Sequence, residues 1–321
     1  MARRSANPAP RRPRRQKKGR LKLHRLFFVL ILLGGILYGA FVALSALYDW
    51  GYVKIQGNAA QKVTIPPQFE DPRFEKYTNI LIIGVDDQPI QGVSEAGRYA
   101  DAVMLISMNH DTKEIRCLSL PRNIKIDIPG RKAPDYLSFT YYYGGALLTV
   151  DSVSQLLQVP ITQYVAFDRK ALSQLVDALG GINIYVQDDM NYDDPVGGTS
   201  IHLSRGYQHL NGDLAQQYLR YRSDDLGDIG RVQRQQKFVQ ALFDRLMTAE
   251  TLTALPSIVH IFNSSMETNI NLVDISILID LFDTLRTSDM KVQMLPGNLS
   301  AAGEWIPDQS RIEQDMNEIF Q

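Results

Sequence analysis

The sequence predicts an α/β protein: a single three-layer αβα domain with a mixed central sheet, preceded by one transmembrane helix. Short apolar runs typical of strands buried on both faces alternate with segments of helical periodicity, which indicates a sheet covered by helices on both faces. An uncharged run of 23 residues, from Leu26 to Tyr48, precedes all of them. Neither an internal repeat nor a compositional break divides the region that follows.

The N-terminal region has the charge pattern of a membrane anchor. As a helix, the run 26–48 extends over roughly 35 Å at about 1.5 Å per residue, enough to cross a bilayer. Residues 1–25 contain eleven basic residues and no acidic one, which keeps this tail cytoplasmic and places the rest outside the cell. Residues 49–77, which are polar and contain three prolines, are predicted as a linker or spacer. The folded domain is expected over residues 78–321.

The body of the protein is acidic, in contrast to its tail. Residues from Asp49 onward contain 23 basic and 35 acidic residues, a balance that argues against nucleic-acid binding. Neither a Walker loop, a Rossmann glycine fingerprint nor a Gly-x-Ser-x-Gly elbow is present, so nucleotide kinase, dehydrogenase and serine hydrolase activities are disfavoured. The single cysteine, Cys117, is predicted to be a buried structural thiol.

Three strands are predicted at the start of the domain. The nearly continuous apolar run from Asn79 to Val85 is the first. Ala102 to Met108 and Glu114 to Leu120 are the next two, and the turn Asn109 to Lys113 joins them as an antiparallel hairpin.

Helices and strands alternate in the rest of the domain. Apolar spacing predicts a helix from Gly144 to Leu157, and the composition of Asn191 to Gly198 predicts a loop. The other predicted strands are Val165 to Asp168, Ile182 to Val186 and Lys291 to Leu295. The other predicted helices are Arg169 to Leu179, Asn211 to Arg220, Arg231 to Ala249, Leu252 to Phe262, Leu272 to Leu285 and Ser310 to Ile319.

The segment from Arg220 to Gln236 is unusually rich in arginine. Arg220 and Arg222 lie at a helix end, and glycines at 227 and 230 allow the chain to turn. Arg231, Arg234 and Gln235 then share one side of the next helix. A solvated, salt-bridged surface is the simpler interpretation of a charge run. Because converging guanidinium forks bind phosphate oxygens in pairs, a site for a polyanion such as pyrophosphate is favoured here.

Two carboxylates are predicted at one edge of the sheet. Asp86 directly follows the first strand and Asp101 directly precedes the second, so neighbouring strands would bring both to the same edge. Two carboxylates with phosphate oxygens and waters make a typical Mg²⁺ site; the alternative is that each is a turn residue. Arg122, just after the third strand, is either a further phosphate ligand or a surface cation.

In these residues the chain resembles the LytR-CpsA-Psr family of membrane-anchored cell-wall proteins. The resemblance covers Asn79 to about Leu246. Its elements are Gly-Val-Asp86, Arg98 before Asp101, Ser-Leu-Pro-Arg122, Tyr-Gly-Gly145, Leu-Gly-Gly181, Arg220-x-Arg222 and Asp228-x-Gly-Arg231-x-x-Arg-Gln235. The last motif is specific, and the order and spacing of all of them match the family.

The resemblance implies an enzyme that transfers a glycopolymer from an undecaprenyl-pyrophosphate carrier to a peptidoglycan hydroxyl, forming a phosphodiester and releasing undecaprenyl phosphate. It implies Mg²⁺, with Mn²⁺ as the alternative ion, held by Asp86 and Asp101. Arg98, Asp101 and Arg122 would act in catalysis, with Asp101 or a water on the metal as the proton acceptor. The pyrophosphate-binding residues would be Arg122, Arg220, Arg222, Arg231 and Gln235, with Asp228 orienting the arginines.

The chain departs from the family pattern at three places. Arg98 lies three residues before Asp101 instead of two, Asn123 stands where aspartate is frequent, and Tyr136 and Ser138 replace frequent Lys and Asn. Two alternative functions remain open. One is hydrolysis of a polyprenyl pyrophosphate, and the other is a non-catalytic, membrane-anchored regulator of the cell envelope.

Overall fold

The protein was analysed as a computed structural model that describes residues 71–86, 97–194, 199–221, 227–248, 250–270 and 290–321. The strands are β1 (Tyr77–Asp86), β2 (Tyr99–Asn109), β3 (Ile115–Leu120), β4 (Lys125–Ile126), β5 (Asp135–Tyr136), β6 (Gln163–Asp168), β7 (Ile182–Val186), β8 (Met190–Asp194), β9 (Thr199–Leu203), β10 (Gly206–Leu210), β11 (Met266–Thr268), β12 (Met290–Met294), β13 (Gly297–Leu299) and β14 (Trp305–Pro307). The helices are α1 (Phe139–Leu157), α2 (Arg169–Ala178), α3 (Gly212–Arg220), α4 (Gly227–Leu246), α5 (Thr251–Ser265) and α6 (Gln309–Ile319).

The central sheet is mixed, as the sequence predicts. Within the described residues it has six strands in the order β11-β6-β1-β2-β3-β12. Strand β1 runs parallel to β6, and β3 runs parallel to β12. The pairs β1–β2, β2–β3 and β6–β11 are antiparallel, which confirms the predicted hairpin. Strands β1, β3, β6 and β12 therefore end at one edge of the sheet, and β2 begins there.

Helices cover both faces of this sheet. On one face Leu81 and Leu105 belong to a cluster of buried residues with Val150 of α1 and Ile312 of α6. On the other face Cys117 belongs to a second cluster, against which residues of α4 pack. The buried Cys117 is confirmed as a free thiol, and burial raises its pKa to about 12. A third cluster joins the ribbons β7–β10 and β8–β9 to α2, α3 and α4.

Two predicted elements differ from the structure. In one a strand pair forms where a loop was expected, and in the other a helix starts earlier and is interrupted by glycines. The prediction of a loop over 191–198 is wrong for its first residues, because β8 and β9 form an antiparallel hairpin. Met190 and Leu203 of this hairpin are buried. Helix α1 begins at Phe139 instead of Gly144. The helix is interrupted at Gly144 and Gly145, where Gly145 adopts a φ of 66° that L-residues rarely take.

The predicted tail 1–25, the predicted span 26–48 and the predicted helix 272–285 lie outside the described residues. Among the residues that are described, none of the helices is both long and apolar enough to span a bilayer. At the end of the predicted linker, Pro72–Phe74 forms a 3-10 turn whose Phe74 is buried in an edge-to-face contact with Phe320.

Candidate functional site

The two predicted carboxylates lie at the same edge of the sheet. Asp86 is the last residue of β1 and pairs in register with Tyr99, close to the start of β2. The register then shifts: Val85 pairs with Ala100 and Gly84 with Ala102, which leaves Asp101 as the extra residue of a β-bulge. A bulge turns a side chain away from the regular alternation of the strand. Both carboxylates are partly exposed, with 20% and 25% of their side-chain surfaces accessible.

Asp101 is held by two arginines from distant parts of the chain. The Nη1 atoms of Arg122 and Arg231 both donate to its Oδ1, and Arg231 also reaches Oδ2 at 3.2 Å. Arg122 follows β3 directly, whereas Arg231 lies near the start of α4, and only 4% of its side chain is accessible. Three of the predicted site residues are thus brought together, and the carboxylate aligns both guanidinium groups.

Asp86 has a partner that sequence reasoning did not name. Arg169 Nε lies 3.4 Å from its Oδ1. Arg169 is the first residue of α2, whose N-terminus is capped by the Asp168 side chain. Because β6 is parallel to β1 and Asp168 pairs with Val85, the start of α2 must emerge beside Asp86. The predicted strand 165–168 followed at once by a helix was the available signal.

Arg98 rests on an aromatic ring at the same edge. Its guanidinium carbon lies 5.5 Å from the ring centre of Tyr141, within cation–π range. The Tyr141 hydroxyl donates to Glu267 Oε2 at 2.7 Å. Burial, and then this hydrogen bond, raises the pKa of the Tyr141 phenol well above its ordinary value. The phenol therefore stays protonated at neutral pH and supports Arg98 as a neutral surface.

The remaining predicted phosphate ligands are located on or between α3 and α4. Arg220 is the last residue of α3 and is half-buried, and Gln235 is buried one turn beyond Arg231. Arg222 and the side chain of Asp228 lie outside the described residues. Arg234, by contrast, donates to the carbonyl of Tyr221 and lies over its ring. It therefore ties α4 to the end of α3.

The altered stretch 136–145 supports the site through its backbone. The N–H of Ser138 donates to the carbonyl of Arg122 at 3.1 Å, and its own carbonyl accepts from the N–H of Ala100 at 3.0 Å. One residue thus links the segment after β3 to the bulge in β2. The Tyr136 hydroxyl donates to Glu304 Oε1 at 2.7 Å, and this bond raises the pKa of Tyr136.

The two carboxylates suit a hard divalent cation. Asp86 and Asp101 offer only oxygen donors from neighbouring strands and keep part of their surface accessible. Mg²⁺ is commonly bound through one or two carboxylates, with substrate phosphate oxygens and waters completing the octahedron. The described residues contain no group of three His, Cys, Asp or Glu arranged to hold a metal. The donor set fits Mg²⁺ shared with a phosphate.

Comparison with known proteins finds relatives over most of the chain. The LytR_cpsA_psr family model matches residues 51–321. Polyisoprenyl-teichoic acid–peptidoglycan teichoic acid transferase TagV of Bacillus subtilis is 30% identical over 264 residues, covering 79% of this chain and 65% of that protein. The transferase TagU of Enterococcus faecalis is 29% identical over 260 residues, covering 79% and 80%. The crystal structure of B. subtilis TagV matches with a TM-score of 0.63 at 25% identity, covering 77% of this chain and 98% of that one.

Proposed function

The chain belongs to the LytR_cpsA_psr family, and from that premise we propose that it is a phosphotransferase of cell-wall assembly. Its donor is a glycopolymer on undecaprenyl pyrophosphate, and its acceptor is a hydroxyl of peptidoglycan. The relatives described above are named as transferases of teichoic acid from a polyisoprenyl-linked form to peptidoglycan. The proposal extends that activity to this chain.

One observation carries the proposal: a single carboxylate, Asp101, aligns Arg122 and the buried Arg231 at the sheet edge where Asp86 also ends. Crevices at the carboxyl ends of parallel strands are common ligand sites in α/β sheets. Arg98 and Arg169 bring two further guanidinium groups to this edge. Fixed guanidinium groups of this kind suit a pyrophosphate.

The proposed reaction is a single displacement at phosphorus. The oxygen of the acceptor hydroxyl forms a bond to the phosphorus that carries the sugar. The bond from that phosphorus to the bridging oxygen breaks, and undecaprenyl phosphate leaves with the electron pair. The hydroxyl proton passes to solvent. Phosphoryl transfer depends mainly on alignment and on stabilisation of charge at the equatorial and leaving oxygens.

The arginines supply that alignment. Arg122 and Arg231 are held in place before substrate arrives, because Asp101 accepts hydrogen bonds from both. Its oxygens are engaged in this way, so the carboxylate is better suited to orient the arginines than to take the hydroxyl proton. Gln235 lies one turn beyond Arg231 on the same helix face and adds an amide donor. Arg98, on the face of Tyr141, would contact a phosphate oxygen.

A divalent cation completes the proposed site. Asp86 and Asp101 would hold Mg²⁺, and the ion would supply positive charge to offset that of the phosphate oxygens. Arg169, bound to Asp86, then orients that carboxylate.

The proposal is tested with the full-length chain in detergent, a lipid-pyrophosphate glycan, Mg²⁺ and a peptidoglycan oligomer. Mass spectrometry should find the glycan joined to the oligomer by a phosphodiester. Release of free phosphorylated glycan alone would identify a hydrolase, and absence of any turnover would favour a non-catalytic regulator. Arg231→Ala should lose transfer, whereas the control Arg311→Ala, at an exposed position on α6, should keep it.

A further inference from the structure

The ribbon β7–β10 presents two tyrosine rings to solvent. Tyr185 and Tyr207 lie opposite each other in register, and their ring centres are 5.0 Å apart in an edge-to-face arrangement. Tyr185 is 42% exposed and Tyr207 is 87% exposed. The opposite face of the ribbon is buried, with Ile182 and Val186 in a core cluster. Adjacent exposed rings, unlike single scattered ones, mark a surface that interacts with a partner.

Hydrogen-bonding groups lie beside the two rings. His209 and Asn183 are the next outward pair along the ribbon, and His209 Nδ1 lies 2.8 Å from Asn183 Oδ1. The imidazole packs directly over Gly181, where a Cβ would collide with it. At the other end of the ribbon, the side chain of Arg205 is hydrogen-bonded to Tyr185. The outward residues 183, 185, 207 and 209, which we call the tyrosine face, therefore combine ring surface with polar groups.

This combination fits a sugar polymer. One side of a pyranose ring is a surface of C–H groups that packs on an aromatic ring, and the hydroxyl and amide groups around its rim need hydrogen-bond partners. Tyrosine supplies a flat apolar ring with a polar tip, and the amide and imidazole beside it supply donors and acceptors. A helix of a protein partner would instead need a groove of aliphatic side chains.

Charge distinguishes between the two polymers of the proposed reaction. Asp188 and Asp189 are exposed just after β7, and both interact with the charge of Arg205. The backbone N–H of Arg205 donates to Asp189 Oδ1 at 2.7 Å, which keeps this carboxylate close to the rings. Carboxylates repel a phosphate-bearing donor and an anionic membrane, but they do not repel the neutral backbone of a polysaccharide. The acceptor is therefore the better match.

A single short helix connects the tyrosine face to the proposed site. Strand β10 is followed by α3, which begins at Gly212 and ends at Arg220. The N–H of Gly212 donates to Asp177, whereas Gln216 donates to the carbonyl of Arg169. Helix α3 therefore runs antiparallel to α2, back toward the sheet edge. Its nine residues extend over roughly 14 Å, so a strand of several sugars can contact both places at once.

We propose that the tyrosine face binds the glycan backbone of the peptidoglycan acceptor, several sugars away from the reacting hydroxyl. The inference rests on the proposed function, which makes peptidoglycan the acceptor. Binding of the distant sugars raises the effective concentration of the hydroxyl at the site. The tyrosine face then gives long glycan strands an advantage over short ones.

The first test measures binding without any donor. Calorimetry is carried out on the full-length protein in detergent with a peptidoglycan glycan strand of about twelve sugars, freed of its stem peptides. Tyr207→Ala should weaken binding by roughly fivefold, the effect of truncating an interface tyrosine. Tyr207→Phe should retain the affinity because it keeps the ring. The absence of strand binding by the wild type would overturn the proposal.

Tyr192→Ala is the matched control. Tyr192 is an exposed tyrosine, 49% accessible, but it lies on the neighbouring hairpin β8–β9. This variant should bind the strand as the wild type does. Equal affinities of Tyr207→Ala and Tyr192→Ala would refute the tyrosine face, and the high exposure of Tyr207 means that its truncation leaves the core intact.

The second test compares acceptors of about four and twelve sugars in the transfer assay. The wild type should have a KM for the longer strand that is lower by roughly fivefold. Tyr207→Ala should make the two KM values equal while leaving kcat unchanged, because the ring contacts only sugars away from the reaction. Equal KM values in the wild type would overturn the proposal.

Two other occupants would be recognised by the same variants. Binding to vesicles of anionic phospholipid that requires Tyr207, without strand binding, would assign the tyrosine face to the membrane. Dimerisation in sedimentation experiments that Tyr207→Ala abolishes, without strand binding, would assign it to a second copy of the chain. Either result overturns the proposal.

The outcomes also separate this proposal from the proposed function. Strand binding that depends on Tyr207, in a protein that transfers no glycan, would retain the tyrosine face and refute the phosphotransferase. Transfer with equal KM values for short and long acceptors would retain the phosphotransferase and refute the tyrosine face.

Discussion

The two carboxylates at the sheet edge are held in different ways. On what we call the Asp101 side, a bulged residue accepts hydrogen bonds from Arg122 and from Arg231, which is only 4% exposed. On what we call the Asp86 side, the last residue of a regular strand lies 3.4 Å from the guanidinium of Arg169. One carboxylate is shared by two arginines from distant parts of the chain, and the other lies beside the first residue of α2.

This difference indicates that the two carboxylates have different roles. The oxygens of Asp101 are occupied by donors that phosphate will also use, so Asp101 fixes the positions of its arginines and stabilises the fold around them. Asp86 lies 3.4 Å from Arg169, farther than Asp101 lies from its arginines, so it is the better candidate for the main protein ligand of a cation. Damage to the Asp101 side should therefore affect stability and activity together, and damage to the Asp86 side should affect activity alone.

The largest effect is expected for Asp101→Ala. The substitution takes a carboxylate from Arg231, whose charge is buried, and removes the alignment of Arg122. We expect the free energy of unfolding to fall by about 2 kcal/mol and glycan transfer to fall by roughly a thousandfold. Denaturant unfolding and a transfer assay measure the two quantities.

The matched control is Glu313→Ala, which removes an exposed carboxylate on α6 and should change neither quantity. An Asp101→Ala protein that is as stable as wild type would show that the cluster does not contribute to the fold, and the contrast between the two sides would be lost.

Asp86→Asn should produce the second largest effect. Transfer should fall by about a hundredfold, and the Mg²⁺ concentration for half-maximal activity should rise, because a neutral amide is a poor ligand for a hard cation. The free energy of unfolding should stay within about 0.5 kcal/mol of wild type, since the ion pair with Arg169 is partly exposed. Mg²⁺ titration at fixed substrate provides the readout. An unchanged Mg²⁺ concentration for half-maximal activity would show that Asp86 is not a ligand of the metal.

Arg169→Gln should have a smaller effect on transfer, and it should change the Mg²⁺ requirement in the direction opposite to Asp86→Asn. The guanidinium competes with a cation for Asp86, so its removal should lower the Mg²⁺ concentration for half-maximal activity by about threefold. Maximal transfer should fall by about tenfold, because the side chain no longer orients Asp86. Arg311→Ala again serves as the control. A shift of the Mg²⁺ requirement in the opposite direction would contradict the assignment of Arg169 to the Asp86 side.

Sequence reasoning names all three residues of the Asp101 side and misses Arg169 on the Asp86 side, but it gives the contacts of neither side, for a physical reason. Asp86 and Asp101 mark the ends of apolar runs, and run boundaries can be read from local pattern. The contact between Asp101 and Arg231 spans 130 residues and depends on how α4 packs over the sheet, which local pattern does not encode. Arg169 directly follows the predicted strand 165–168, and the parallel pairing of that strand with β1 brings it to Asp86.

Local composition also misled the prediction in one region. The β8–β9 hairpin contains Asn, Asp and His on its exposed side, and this polar alternation was interpreted as a loop. Its stability comes from Met190, Ile201 and Leu203, which are buried against a cluster that includes Tyr218 of α3. Tertiary burial of Met190 and of alternate residues of β9 therefore outweighs the low strand propensity of Asn and Asp.

The smallest effect is expected for Tyr141→Phe, which tests what supports Arg98 near the Asp86 side. The variant keeps the ring beneath Arg98 but loses the hydrogen bond to Glu267, so transfer should stay within about threefold of wild type. At pH 8 the free energy of unfolding should fall by about 1 kcal/mol. The control Tyr192→Phe changes an exposed ring, 49% accessible, and should be neutral.

The sign of the pH dependence follows from the raised pKa of the Tyr141 phenol. Its stabilising contribution is complete below the unfolded pKa of about 10. It is lost as the pH rises from there toward the folded pKa, because the unfolded chain ionises first. Phe cannot ionise, so the stability gap between wild type and Tyr141→Phe should narrow between pH 10 and pH 11 in urea unfolding. A gap that widens over this range would show that burial does not hold the phenol neutral. A loss of transfer well beyond threefold would show that Arg98 depends on the hydroxyl and not on the ring.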